Sequence, residues 1–191
     1  MNVLVLDLGG LPRKWVSFED AITYHAKKQV VWGLGDTIVK FHGGIQKDGT
    51  ISYLESKSII AVKGKGYELN TIGKVVLSNK ALFARDHNMC GYCGNVFPPN
   101  KLSRDHVKPI SKQGEDIWTN CVTACVKCNT VKGDTLLEHS DMQLLFVPYE
   151  PNHYENLILQ NRSILADQME YLLSGVPKNS RLLQDKRFSW N

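Results

Sequence analysis

The sequence predicts an α+β protein with a β-rich N-terminal region, a small cysteine-rich domain and a C-terminal helix. An alternating apolar run opens the chain, all five cysteines fall within residues 90–128, and a helical apolar pattern occupies residues 152–175. Alternation every second residue is typical of strands, and recurrence every three to four residues is typical of helices. With 191 residues, the chain is long enough for one substantial domain or a small domain with appendages.

Residues 1–75 are predicted to form a compact α+β unit. The run "VLVLDL" is typical of a strand, and Ser17 followed by Asp20 resembles the capping box that begins a helix. The runs "TIVKF" and "TISYL" are predicted strands, separated by the turn signals Gly-Gly and Asp-Gly in "HGGIQKDG". "KSIIAVKG" is predicted to be a further strand.

Residues 76–140 form the second predicted region and residues 141–191 the third. Ser78 is a predicted helix cap at the start of the second region. The third contains the run "NHYENLILQNRSILADQMEYLLSG", which predicts a helical extension that stops near Pro177 and is followed by a basic tail. Residues 1–75 are candidates for DNA binding or specificity.

Composition excludes several classes of protein. No segment approaches the roughly 20 continuous apolar residues that cross a bilayer, and "MNVLVLDLGG" lacks the basic flank of a signal peptide. We therefore expect no membrane partner and a cytoplasmic location, where thiols stay reduced and paired cysteines favour metal over disulfides. The net charge of +4 permits a polyanionic partner without establishing one.

The cysteines form two Cys-x-x-Cys pairs, Cys90 with Cys93 and Cys125 with Cys128. Two such knuckles brought together make a tetrahedral four-sulfur site, which predicts a structural zinc ion. The fifth cysteine, Cys121, is either an alternative ligand or, the interpretation we favour, a small buried residue. A closed four-sulfur site leaves no open position for catalysis, so any chemistry must come from other residues.

At this point the sequence resembles a known family. The stretches "FARDHNMCGYCG" and "SRDHVKPISKQGEDIWTNCVTACVKCNTVKGD" are similar to the zinc-stapled HNH endonucleases, over residues 78–136. The resemblance implies a ββα-metal, treble-clef-like nuclease core. It also implies that His106 is the general base, that Asp105 is a metal ligand, and that Asn120 braces the loop. Asn129 stands where the last letter of the motif is often histidine, which makes this an Asn-type variant.

These implied roles are chemically consistent. Asp105 and His106 are adjacent in a strand and project to opposite faces, so one can reach a metal and the other a water molecule if the strand bends. A carboxylate and an amide oxygen, from Asp105 and Asn129, suit Mg²⁺ or another hard divalent ion such as Mn²⁺. Phosphate contacts are predicted for four basic residues, which are Arg85, Arg104, Lys108 and Lys132.

The sequence thus predicts a metal-dependent endonuclease that hydrolyses phosphodiester bonds, with double-stranded DNA as the favoured substrate. Homing or phage-associated nucleases and restriction or defence nucleases are both open, in a bacterial cell or a phage-infected host. Double-strand cleavage would require two sites or two events, for which a homodimer is one route. The alternative is a non-catalytic zinc-bound nucleic-acid-binding module. A thiol-disulfide oxidoreductase is a poorer interpretation, because no thioredoxin-like βαβ pattern surrounds the cysteines.

Overall fold

The computed structural model describes residues 2–45, 49–64 and 75–184. The chain divides into two compact units. Unit 1 comprises the described parts of residues 1–73 together with 161–180, and unit 2 comprises those of 74–160 and 181–191. The boundaries of these units differ from those of the three regions predicted from the sequence. The functions assigned to the three regions stay predictions.

Unit 1 is built on a sheet in which the described strands have the order β2-β1-β4-β3. Strand β1 (Val3–Leu6) pairs antiparallel with β2 (Pro12–Val16) and parallel with β4 (Ile51–Val62), and β4 pairs antiparallel with β3 (Val30–Ile45). All four residues of β1 are fully buried, as expected for the central strand of a covered sheet.

Helix α1 (Phe18–Ala26) covers this sheet. It begins as predicted, because the Ser17 side chain accepts a hydrogen bond from the Asp20 amide. Its buried Ala21 packs with Val3, Val5 and Ile60 in the apolar core of unit 1.

The strands after α1 are longer than the sequence suggested. "TISYL" and "KSIIAVKG" were predicted as separate strands, yet both contribute to β4, and Gly43-Gly44 lies inside β3 instead of marking a turn. Residues 46–48, which belong to the turn expected in "HGGIQKDG", lie outside the described residues. Strand β2 was not predicted, because its sequence "PRKWV" has little apolar alternation.

The helical pattern of residues 152–175 forms two helices instead of the predicted single one. They are α4 (His153–Gln160) and α5 (Ala166–Leu173). Between them the Asn161 side chain accepts a hydrogen bond from the Ser163 amide at 3.1 Å, which is an Asx turn that competes with helical bonding. Helix α4 belongs to unit 2 and α5 to unit 1. The C-terminal helical character predicted from the sequence is confirmed.

Unit 2 contains the cysteine-rich region. Helix α2 (Asn79–Arg85) begins at the predicted cap, Ser78. Strands β5 (Leu102–His106) and β6 (Cys121–Cys125) form an antiparallel pair, which helix α3 (Val126–Lys132) follows directly. This strand–strand–helix order is compatible with the predicted ββα-metal core, and the α+β class is confirmed. A short helix, α6 (Arg181–Gln184), ends the described chain.

The interior of unit 2 combines an apolar core with a buried ion pair. Leu82, Leu102, Trp118 and Cys121 pack together. Beside them the Arg85 guanidinium donates to both carboxylate oxygens of Asp86, at 2.9 and 3.0 Å. It also donates to the carbonyl oxygens of Trp118, Cys121 and Tyr149 at 2.7–2.9 Å. This network joins α2 to the start of β6 and thereby fixes the loop before it.

Candidate metal and catalytic site

The four predicted zinc ligands come together in the structure. The sulfur atoms of Cys90, Cys93, Cys125 and Cys128 all lie within 4.8 Å of one another. The backbone turns of the two knuckles supply this geometry: Gly94 adopts a left-handed φ of 74°, and its amide donates to the Cys90 carbonyl at 3.0 Å. The cluster is compatible with a structural zinc site.

The surroundings of the sulfur atoms also suit a metal. The Cys128 amide donates to the Cys125 sulfur at 3.4 Å, and the Asn95 side chain donates to the Cys93 sulfur at 3.7 Å. Burial opposes ionisation of Cys90, but backbone hydrogen bonds from this region outweigh it and lower the pKa of the Cys90 thiol. Burial and the neighbouring cysteines raise the pKa of Cys128. Four adjacent thiols resist joint ionisation unless a cation compensates their charge.

Asp105 lies on the face of β5 that helix α3 covers. Its side chain is 5% exposed, and Oδ1 accepts a hydrogen bond from Lys132 Nζ at 3.1 Å. Oδ2 accepts a hydrogen bond from the hydroxyl of Tyr92, which lies in the first Cys-x-x-Cys knuckle. Burial and this contact with Asp105 raise the pKa of Tyr92, so the phenol stays a donor. The first Cys-x-x-Cys knuckle therefore contacts the Asp105 carboxylate directly.

His106 lies at the end of β5 and contacts a different residue. Its Nε2 is 2.9 Å from Asp116 Oδ1, and its side chain is 26% exposed. Arg104 donates to both oxygens of Asp116 at 2.6 and 2.7 Å. The hydrogen bond from Arg104 and the one with His106 lower the pKa of Asp116 to about 2. Asp116 is thus ionised at any ordinary pH and presents a hydrogen-bond acceptor to Nε2 of the imidazole.

Asn120 makes the contacts of a loop brace. Its Oδ1 accepts from the Lys108 amide at 2.9 Å, and its Nδ2 donates to the carbonyl oxygens of Lys108 and Glu115 at 3.0 and 2.8 Å. One side chain therefore links both ends of the 108–115 loop that leads to Asp116. Within the described part of the chain, none of these Asn120 hydrogen bonds goes to the His106 ring.

Asn129 lies on α3 and faces β5. Its Nδ2 donates to Ser103 Oγ at 2.8 Å and, at 3.4 Å, to the Arg104 carbonyl. Lys132, one helical turn later, reaches Asp105 from the same helix and also donates to the His106 carbonyl at 2.7 Å. Because Nδ2 is engaged with β5, the Oδ1 atom is the end of the amide that can bind a cation.

The four basic residues predicted to contact phosphate differ in their positions. Arg85 and Lys132 are each 1% exposed and are paired with Asp86 and Asp105, so neither presents its charge to solvent. The physical reason is that both lie on helix faces turned toward β5 and β6. Arg104 is engaged with Asp116 and with Asn79, whereas Lys108 is exposed.

Sequence reasoning did not find Asp116 or Tyr92. Tyr92 lies between the two cysteines of the first pair, and Asp116 lies in the "QGED" segment, where it resembles any exposed loop acid. One feature of the sequence could have identified Asp116: it precedes Asn120 by only four residues, at the end of the loop that Asn120 was predicted to brace. Cys121 is buried in the core, as the favoured interpretation held, and its thiol donates to Asp116 Oδ1 at 3.3 Å.

Comparison with known families supports the resemblance. Residues 90–135 match the family model described as HNH endonuclease. This segment contains both knuckles, β5, β6 and α3, and the predicted resemblance to the HNH family is confirmed over it. The match suggests nuclease activity on nucleic acids. Comparison with the curated proteins finds no relative that matches this sequence. Within the described residues there is also no helix with the length and apolar character needed to cross a membrane.

Proposed function

We propose that this protein is a metal-dependent endonuclease that hydrolyses phosphodiester bonds in double-stranded DNA. The observation that carries the proposal is the contact between His106 Nε2 and the ionised Asp116, within the segment that matches the HNH model. A purely binding module would not need an imidazole that is held in this way at a partly exposed position.

His106 is the proposed general base. When Asp116 accepts the Nε2 proton, the neutral imidazole has its lone pair on Nδ1. Nδ1 can then accept a proton from the attacking water, which is the role of a general base. Asp116 stabilises the imidazolium that results, because it stays negatively charged throughout. Arg104 keeps Asp116 in place through both carboxylate oxygens.

Asp105 and Asn129 are the proposed ligands of a catalytic divalent ion. Their donor types fit Mg²⁺ or Mn²⁺, since a carboxylate oxygen and an amide oxygen lie on facing elements, β5 and α3. The bonds from Tyr92 and Lys132 leave a second lone pair on each oxygen of Asp105. When bound, such an ion supplies electrostatic stabilisation of the phosphate and of the leaving oxygen. Lys132 fixes the carboxylate and the His106 backbone relative to each other.

The proposal has four further components, which are the zinc ion, the phosphate contact, the roles of two arginines and the route to double-strand cleavage. Zinc is the proposed occupant of the four-sulfur cluster, where it holds the knuckles against β6. Lys108 is the proposed phosphate contact, because it is exposed two residues after His106. Arg104 is proposed to position Asp116, and Arg85 is proposed to stabilise the core of unit 2. A homodimer is the proposed route to double-strand cleavage, since one such site cuts one strand.

The test is nicking of supercoiled plasmid by the full chain, with its zinc retained and with Mg²⁺ either present or omitted. We expect Mg²⁺-dependent nicking by the wild-type protein. His106→Ala should lower the rate by about 10²- to 10⁴-fold, the usual contribution of a general base. His139→Ala is the matched control, because His139 is exposed and outside the site, and it should nick at the wild-type rate.

Two results would contradict the proposal. One is a wild-type protein that binds DNA but leaves several plasmids, single-stranded DNA and RNA intact with Mg²⁺ or Mn²⁺, which is the behaviour of a non-catalytic binding module. The other is nicking by His106→Ala at the rate of His139→Ala.

A further inference from the structure

A second group of side chains that could bind a metal lies between the two Cys-x-x-Cys pairs in the sequence. It shares no residue with the four-sulfur cluster. His106 and Cys121 are register partners in the β5–β6 pair, so their side chains lie on the same face of the ribbon. Asp116 joins them from the connecting loop. His106 Nε2 is 2.9 Å and Cys121 Sγ 3.3 Å from Asp116 Oδ1, and the three ligand atoms all lie within 4.8 Å of one another.

These separations are close to those in a tetrahedral zinc site. Bonds of about 2.0–2.3 Å to nitrogen, oxygen and sulfur place neighbouring ligand atoms roughly 3.3–3.6 Å apart. Small movements of the His106 and Asp116 side chains would therefore be sufficient. The donor set of one imidazole, one carboxylate and one thiolate suits Zn²⁺ and not Mg²⁺, which prefers oxygen alone.

The surroundings of the group resemble the support that bound metals receive. Arg104 donates to Asp116 Oδ2 at 2.6 Å, and Asn79 holds Arg104 in turn at 3.0 Å. The Asp116 side chain is 54% exposed, which gives an ion a path from solvent, while buried Cys121 forms the floor. Three protein ligands leave a fourth position for water.

We propose that His106, Asp116 and Cys121 bind a second transition-metal ion, Zn²⁺, and that this ion switches the nuclease site off. As the sulfur–zinc bond forms, the Cys121 thiol releases its proton to solvent, and Asp116 binds as the carboxylate it already is. Zinc takes the Nε2 lone pair of His106, so the proton of the neutral imidazole resides on Nδ1. That nitrogen can then no longer accept a proton from water. This inhibitory consequence rests on the proposed function, whereas the binding of the ion does not.

Binding is measured on the full chain already carrying one zinc ion, by titration with Zn²⁺ alone in competition with a chromogenic chelator. Native mass spectrometry counts the bound ions. We expect two ions per wild-type chain. Cys121→Val and Asp116→Asn should each weaken the second ion by at least about 10-fold, since a ligand contributes no less than its supporting shell. Asp116→Asn alters an exposed side chain, so its result does not depend on the stability of the core.

Val122→Ala is the matched control, because it disturbs the same buried strand next to Cys121 without removing a ligand. It should still bind the second ion. Cobalt(II) in place of zinc adds a spectroscopic readout, since the second ion should show the charge-transfer band of a single thiolate and Cys121→Val should lose it.

Inhibition is measured as Mg²⁺-dependent nicking against added Zn²⁺, with each variant normalised to its own rate before addition. Wild type should be inhibited over the range in which the second ion binds, and Cys121→Val should require at least about 10-fold more Zn²⁺. A wild-type chain that binds one ion, or a Cys121→Val chain that binds the second as tightly, would overturn the proposed site. Binding without inhibition would overturn the switch. A chain that binds two ions and nicks no DNA would support the site while contradicting the proposed function.

Discussion

At the scale of single residues, the adjacent Asp105 and His106 have different partners. Asp105 is buried against Tyr92 and Lys132, and His106 contacts Asp116 near the surface. This follows from the alternation of side chains along a strand, which sends neighbours to opposite faces. The proposed metal ligand is thus held by the interior of unit 2, and the proposed base is held by a loop.

Asp116→Asn tests how the loop controls His106. Arg104 would still donate to the oxygen of the new amide, so the nitrogen of that amide would turn toward His106 Nε2 and donate to it. That favours the tautomer with its proton on Nδ1, which cannot act as a base. We expect the single-turnover nicking rate to fall about 10²-fold, and ¹⁵N NMR to show the change of tautomer.

Glu115→Gln is the control for this change, because it removes the same charge from the neighbouring exposed position. It should leave the tautomer and the rate unaltered. A tautomer and a rate in Asp116→Asn equal to those of Glu115→Gln would show that Asp116 does not position His106.

At the scale of elements, the loop between β5 and β6 is built as a rigid unit. Asn120 holds it at Lys108 and Glu115, and the Gly114 amide donates to the Pro109 carbonyl at 2.9 Å. A Cβ atom at residue 114 would lie 1.8 Å from the Lys108 carbonyl oxygen, which is backbone and cannot move aside cheaply. Only glycine fits this position without a rearrangement of the loop.

Gly114→Ala should therefore displace Asp116 from His106. We expect the free energy of unfolding to fall by about 1–3 kcal/mol, as overpacking usually costs, together with a slower nicking rate. Denaturant unfolding and the plasmid assay measure the two effects.

Gly44→Ala serves as the comparison, because a Cβ atom there would meet no heavy atom within 4 Å. It should change neither stability nor nicking appreciably. Equal effects of the two substitutions would mean that the close approach at Gly114 does not constrain the loop.

At the scale of the whole molecule, unit 1 is built from chain segments that come before and after residues 74–160. The Gln168 side chain on α5 is fully buried and donates to the carbonyl oxygens of Asn2 and Ser58 at 2.9 and 2.8 Å. The hydroxyl of Tyr171 on the same helix donates to the Gly10 carbonyl at 2.5 Å. Helix α5 thus satisfies the buried Ser58 carbonyl of β4 and two half-buried backbone acceptors at Asn2 and Gly10.

Gln168→Ala should destabilise unit 1, because the buried Ser58 carbonyl and the half-buried Asn2 carbonyl both lose their donor. We expect a loss of about 1–3 kcal/mol per unsatisfied group, seen as faster amide hydrogen exchange in β1 and β4. Glu170→Ala, an exposed position on the same helix, should leave the exchange rates as in wild type. If both variants exchange alike, α5 does not contribute to unit 1 through Gln168.

Local patterns in the sequence were sufficient for much of this molecule. The four clustered cysteines, the caps Ser17 and Ser78, and the strand with Asp105 and His106 were all predicted. Each depends on residues that are close in the chain, where spacing and side-chain chemistry leave few alternatives. The α+β class and the resemblance to HNH endonucleases follow from the same local order of motifs.

Only the tertiary structure decided which distant residues meet these motifs. Whether Arg85 and Lys132 contact phosphate or a buried carboxylate depends on which helix face packs against β5 and β6. The amino-acid sequence alone does not reveal that face. The meeting of Asp116 with His106 and Cys121 depends on strand register and on the path of a braced loop. These are long-range relations, so the sequence by itself determined the cysteine cluster and the strand, whereas the fold decided which residue contacts the imidazole.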